Sequence, residues 1–220
     1  MSLLDLESLQ RAPLSREPFT FTVVKNAIRP ADAAAIRDDF PQIEDPGLLP
    51  VEATHYGPMF GRLIDELESE PTARAFSEKF GVNLVGRPQM ITVRGRCAAK
   101  DGRIHTDTPT KLITVLIYFN EQWEASGGRL RLLHSPTDLN DMISEVAPDL
   151  GTMIAFRRSD KSYHGHEPYE GVRRYVMINW MTSDFAAKRE LLRHRVSAGA
   201  KQALKLIAPR RDAKAGGARG

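Results

Sequence analysis

The sequence predicts a mainly β domain with flanking helices (α+β), an antiparallel sandwich or barrel with its early helices packed against one sheet. Three observations lead there. Residues 59–81 repeat apolar side chains at helical spacing. From residue 88 the texture changes to the short β-branched and aromatic runs PQMITVRG, KLITVLIYFN, GGRLRLLH, GTMIAFRR and RRYVMINWMT, parted by turn-forming Gly, Pro, Asp and Asn. A length of 220 residues with 41% hydrophobic and 27% charged residues suits one domain with a substantial core. The expected limits are a single domain over 1–206, its β core about 88–182, and a basic disordered tail over 207–220.

The elements follow in chain order. After a polar start, FTFTVV (19–24) reads as a strand and RPADAAAIRDDF (29–40) as a helix with Pro30 in its first turn. Pro and Gly make 41–58 a long loop. MFGRLIDELESEPTARAFSEKFG (59–81) reads as two helices broken before Pro71 and stopped at Gly81. The five strand runs come next, with SPTDLNDMISEVAP (135–148) as a connecting segment, and FAAKRELLRHRVSAGAKQALKLI closes the chain as an amphipathic helix interrupted near Gly199. No internal repeat is present.

Composition narrows the function classes. There is no run of eighteen apolar residues, and the N-terminus carries acids where a secretory signal would carry a basic flank, so a cytoplasmic protein with no membrane partner is expected. The single cysteine, Cys97, excludes an intrachain disulfide and a cysteine-cluster metal site. Net charge is +3, but residues 185–220 hold ten Lys or Arg against two acids, which leaves −5 on 1–184. A nucleic-acid partner is therefore not expected: the basic segment lacks stacking aromatics beyond Phe185.

Chemistry enters with RIHTDTP. His105 and Asp107 are two residues apart, so in an extended segment both side chains reach the same side. An imidazole and a carboxylate meeting at one point make two metal ligands, and SYHGHE (162–167) supplies a third from His164 or His166. Two His nitrogens and one carboxylate on one face of a metal, with open positions opposite, suit non-haem Fe(II) oxygenases. An H-x-D triplet alone is weak, because most such triplets hydrogen-bond in loops. The basic pair Arg173–Arg174 on the following strand strengthens it, since a cation in the same barrel is what a dicarboxylate needs.

Residues 88–182 resemble the catalytic core of the 2-oxoglutarate/Fe(II)-dependent dioxygenases, in particular the prolyl-hydroxylase-like branch. HTD (105–107), VLIYFNEQW (115–123), Gly127–Gly128 before RLRLL, PDLGTMIAF (148–156), SYHGHEP and VRRYVMINW (172–180) occur in the family's order. The resemblance implies a double-stranded β-helix, or jelly roll, with Fe(II) at its mouth, 2-oxoglutarate as cosubstrate and O2 as oxidant. It also implies release of succinate and CO2 as a C–H bond is oxidised. Aspartate in the carboxylate position argues for hydroxylation, since related halogenases need a small residue there. The expected substrate is a protein side chain or a small polar metabolite. The competing reading is a non-catalytic, cupin-like metal-binding jelly roll.

The resemblance implies His105 and Asp107 as metal ligands and places Tyr118 where relatives hydrogen-bond the far carboxylate of 2-oxoglutarate. For the basic residue clasping that carboxylate both Arg173 and Arg174 qualify. Strand alternation puts Arg174 with Val176, Ile178 and Trp180, the more apolar face, which is expected to point into the barrel, so Arg174 is the choice and Arg173 is expected to point out to solvent. The distal histidine stays open between two positions. His164 lies ten residues before Arg174, within the family's spacing, and is the favoured ligand. HEP after it resembles the HEV of other members and pulls toward His166, which otherwise takes a supporting or substrate-side role. Arg94, Arg96 and Lys100 are candidates for the substrate mouth against a plain reading as surface charge.

Overall fold

The structure, a computed structural model, describes residues 2–193. In chain order it comprises α1 (Leu6–Arg11), β1 (Phe21–Val24), α2 (Pro30–Asp38), β2 (Leu49–Pro50), a 3-10 turn (Val51–Ala53), α3 (Pro58–Glu68) and α4 (Glu70–Phe80). Then come β3 (Gln89–Cys97), β4 (Lys111–Tyr118), β5 (Leu130–Leu133), β6 (Met142–Val146), β7 (Met153–Arg157), β8 (Tyr163–Gly165) and β9 (Gly171–Met181). A last helix starts at 184 and is described as far as 193. The expected tail over 207–220 and the helix break near Gly199 lie outside the described residues.

Local chemistry explains the helix boundaries. Ser69 ends α3 and caps α4, its hydroxyl accepting from the Thr72 amide, with Pro71 in the first turn. Gly81 closes α4 in the left-handed region at φ 63°, which a side chain would disfavour. The short helix α1 and the strands β2 and β6 lie where the sequence suggested irregular chain. Strand β6 is paired with β5 although most of its side chains are not buried, so alternation leaves little trace there.

The strands form a jelly roll of two antiparallel sheets, one of six strands in the order β1-β7-β4-β9-β3-β2 and one of three in the order β6-β5-β8. The large sheet has two unlike faces. Ile113, Val115 and Ile117 of β4 and Val176, Ile178 and Trp180 of β9 pack against the helices, with Phe60, Leu63, Leu67 and Phe76, in the larger core. The opposite face carries Leu116, Tyr118, Tyr175 and Met177, which meet Leu130 and Leu132 of the small sheet. The helices thus rigidify one side, and the chemistry lies between the sheets.

Candidate active site

A cavity of about 280 Å3 opens between the two sheets, lined among others by His105, Asp107, Lys111, Thr114, His164, His166, Arg173 and Arg94. Backbone pairing brings His105 and His164 together across 59 residues of chain. The His105 amide donates to the His164 carbonyl at 3.0 Å and the His164 amide returns the bond to His105 at 3.0 Å, so the two sit directly opposite and their rings lie 4.3 Å apart. The His166 amide extends this ladder to the Gly102 carbonyl at 2.9 Å. Such closeness requires glycine: a Cβ on Gly165 would stand 2.7 Å from the Gly102 carbonyl oxygen and 3.2 Å from Ile104.

One atom each of His105, Asp107 and His164 can be chosen so that all lie within 4.8 Å of one another. Their hydrogen bonds fix which atoms are available. His105 Nδ1 faces the Arg103 carbonyl at 2.9 Å and His164 Nδ1 faces that of Ser162 at 3.0 Å. A carbonyl only accepts, so each Nδ1 carries the proton and each Nε2 keeps its lone pair for a metal. Burial pushes the His164 imidazole down to about 4, which keeps it neutral near pH 7.

Burial on its own would raise the Asp107 carboxyl. The Lys111 ammonium, His164 and hydrogen bonds from Lys111 and Thr114 outweigh it and hold the group well below the usual carboxylate range. Lys111 donates to one oxygen at 2.8 Å and Thr114 to the other at 2.5 Å, while the Thr114 oxygen also sits 2.9 Å from the Asn179 side chain. Two imidazole Nε2 atoms and an ionised, oriented carboxylate are a donor set that fits Fe(II). His166 stands apart from this set. Its Nδ1 donates to the Glu167 carbonyl at 2.8 Å, and burial together with the neighbouring Arg173 pushes its imidazole down to about 4.

Arg173 and Arg174 exchange the positions expected of them. Arg173 is 2% exposed and lines the cavity, whereas Arg174 is half-buried on the outer side, in a groove with Arg37, Asp38 and Glu121. The physical reason lies in the two faces of β9. Its apolar face, which Arg174 shares by alternation, packs on the helices, and the cavity takes the face with Arg173, Tyr175 and Met177. Arg173 Nε donates to the Gly128 carbonyl at 2.7 Å, and Nη2 lies 3.4 Å from the Tyr118 hydroxyl. The guanidinium carbon lies 5.1 Å from the Tyr175 ring centre and 5.3 Å from that of Tyr118.

Tyr118 is fully buried, and its hydroxyl reaches Arg173 rather than the cavity wall. Burial, partly offset by Arg173, pushes its phenol up to about 12, so it is a neutral hydrogen-bonding group. Arg94 lines the cavity and is ion-paired with Asp101. Arg96 and Lys100 are not among the lining residues, Lys100 being exposed. Lys111 and Thr114 escaped the sequence reading, although Thr114 shares the inward face of β4 with Tyr118 by alternation.

Residues 96–182 match the model of the 2OG-Fe(II) oxygenase superfamily. The segment belongs to that superfamily. That segment carries His105, Asp107 and His164, the three residues whose ligand atoms could together hold a metal ion. Among solved structures the chain is similar to a Pseudomonas putida prolyl-4-hydroxylase (16% identity, 80% of this chain and 90% of that one, TM-score 0.52). It is also similar to a viral collagen prolyl hydroxylase from Paramecium Bursaria Chlorella virus-1 (14%, 74% and 95%, 0.52). A third is a Trichoplax adhaerens prolyl hydroxylase in complex with a hypoxia inducible factor peptide (14%, 85% and 89%, 0.52). At these identities the likeness is one of fold. No curated protein matches the sequence. Among the described residues no helix is long and apolar enough to cross a membrane.

Proposed function

We propose that His105, Asp107 and His164 hold the Fe(II), that Arg173 takes the far carboxylate of 2-oxoglutarate, and that the product is a hydroxylated small polar metabolite or side chain. The observation that carries this reading is one cavity lined both by three converging ligand residues and by a buried guanidinium whose hydrogen bonds among the described residues go to neutral groups. A buried cation without an anion is costly, and a dicarboxylate supplies the missing charge. Iron bound here would activate O2 at the expense of 2-oxoglutarate, leaving succinate and CO2.

The chain's own residues perform the remaining tasks. Lys111 and Thr114 orient the Asp107 carboxylate, and the Arg103 and Ser162 carbonyls set the ring planes of the two histidines. Tyr118 and the Gly128 carbonyl hold the guanidinium fork in position. Met177, Leu116 and Leu130 line the cavity with apolar surface that limits water. At about 280 Å3 the cavity lies at the lower edge of the small-molecule range, which favours a small substrate or a single inserted side chain.

The test is anaerobic loading with Fe(II) and 2-oxoglutarate, followed by air and measurement of succinate. Wild-type protein is expected to turn over slowly without substrate, and Asp107→Ala to form none. Equal rates in both would remove the metal assignment, and no succinate from an iron-loaded wild type would favour the non-catalytic jelly roll.

A further inference from the structure

The last described helix, 184–193, contributes two residues to the cavity wall, Glu190 and Arg193. It is seated by Ala186 and Ala187 against Met90 and Met181, with Leu191 packed alongside, at the end of the large sheet. Three carboxylates line the cavity: Asp101, Asp107 and Glu190. Asp101 is ion-paired with Arg94, and Asp107 is held by Lys111 and Thr114. Glu190 differs from both. It is only 4% exposed, yet its ionic partner among the described residues is Arg193 at 3.3 Å, whose side chain is 69% exposed.

Glu190 is thus a buried carboxylate on the cavity wall whose ionic partner among the described residues is itself mostly exposed. Arg193, long and exposed, loses little on turning outward to water. Resting on the oxygenase reading above, with metal and cosubstrate at Asp107 and Arg173, we infer that Glu190 is a substrate-recognition residue and that the substrate presents it a cationic amine. A protonated amine supplies three donors to one carboxylate and removes the cost of burying it alone. An alcohol of the same shape brings no charge to that carboxylate, which is the basis for discrimination. A free small amine and a lysine side chain offer the same group.

The test places Mn(II) and 2-oxoglutarate in the full-length protein and measures paramagnetic relaxation of added probes by proton NMR. The probes are butylamine, 1-butanol and a capped Gly-Lys-Gly tripeptide. The CH2 next to nitrogen in butylamine is expected to relax about tenfold more than its counterpart in butanol, the size of one charge-assisted hydrogen bond. Glu190→Gln should abolish that difference while Mn(II) and 2-oxoglutarate still bind, and Arg193→Gln should preserve it. An effect on butylamine alone identifies a free amine as the source, and an equal effect on the lysine ε-CH2 identifies a polypeptide. Equal relaxation of amine and alcohol in a loaded wild type overturns the inference and leaves the oxygenase reading standing. Failure of the wild type to bind Mn(II) and 2-oxoglutarate at all overturns both.

Discussion

Replacing Arg173 by Met is the sharpest test of how the cosubstrate is held. The side chain is 2% exposed, fixed through Nε to the Gly128 carbonyl at 2.7 Å and near Tyr118 through Nη2 at 3.4 Å. The other guanidinium N–H groups remain for a carboxylate, enough for a two-pronged contact. Two charge-assisted hydrogen bonds at about 1.5–3 kcal/mol each give roughly 3–6 kcal/mol, or about two to four orders of magnitude in the dissociation constant of 2-oxoglutarate. Met keeps much of the volume, and exchanging a buried charge for an apolar group is often near neutral for stability, so the loss should appear in binding rather than in folding. The assay is anaerobic calorimetric titration of 2-oxoglutarate into Mn(II)-loaded protein. Arg173→Lys should fall in between, because a point charge cannot reproduce the fork. Arg174→Met, on the outer groove, should bind 2-oxoglutarate within about threefold of wild type, a surface change worth at most ~0.5 kcal/mol. If Arg174→Met lost as much as Arg173→Met, the assignment of faces on β9 would be wrong.

Three further outcomes are expected. His164→Ala should abolish Fe(II) binding measured by chelator competition, whereas His166→Ala should keep it within roughly tenfold; the reverse order would move the ligand two residues along. In the metal-free protein, His164 and His166 fall from 6.5 to about 4 on folding, so below pH 6.5 the unfolded chain takes up protons that the folded one refuses. Each residue then withdraws up to about 3 kcal/mol as pH drops from 6.5 to 4. The melting temperature should be flat above pH 7 and fall across that window, and a constant value down to pH 4.5 would contradict it. The Asp107 contribution is lost only below its ordinary 3.8 and does not enter the same window. Gly165→Ala, whose Cβ would press on the Gly102 carbonyl, should cost about 1–3 kcal/mol in urea unfolding and weaken Fe(II) binding with it.

The helices and the long strands were legible because their signals are local. Pro71 and Gly81 punctuate α3 and α4 where the sequence said they would, and β4 and β9 are among the densest β-branched runs in the chain. The convergence of His105 and Asp107 was legible for a similar reason, since two-residue spacing on an extended segment is itself a geometric statement. Which arginine faces the cavity was not. Alternation correctly separated Arg173 from Arg174, but turning that into inside and outside required knowing which apolar face is covered by helices and which by the second sheet. Strand pairing supplies that knowledge. Tyr118 of β4 stands opposite Tyr175 of β9, and directly opposed residues point to the same side, so an inward Tyr118 makes Tyr175 inward and Arg173 with it. Tyr118 and Arg174 were therefore incompatible as partners at one carboxylate, a conflict visible only once the register is known. The same reasoning applies to Glu190, which no motif marks. Its place in the cavity depends on a helix distant in sequence from the ligand triplet docking through Ala186 and Ala187 at the sheet's end. In a jelly roll the hydrophobic pattern marks the dry layer between sheet and helices. The residues that select a substrate lie on the other face and on whatever element closes the mouth, where polarity is the rule and periodicity says least.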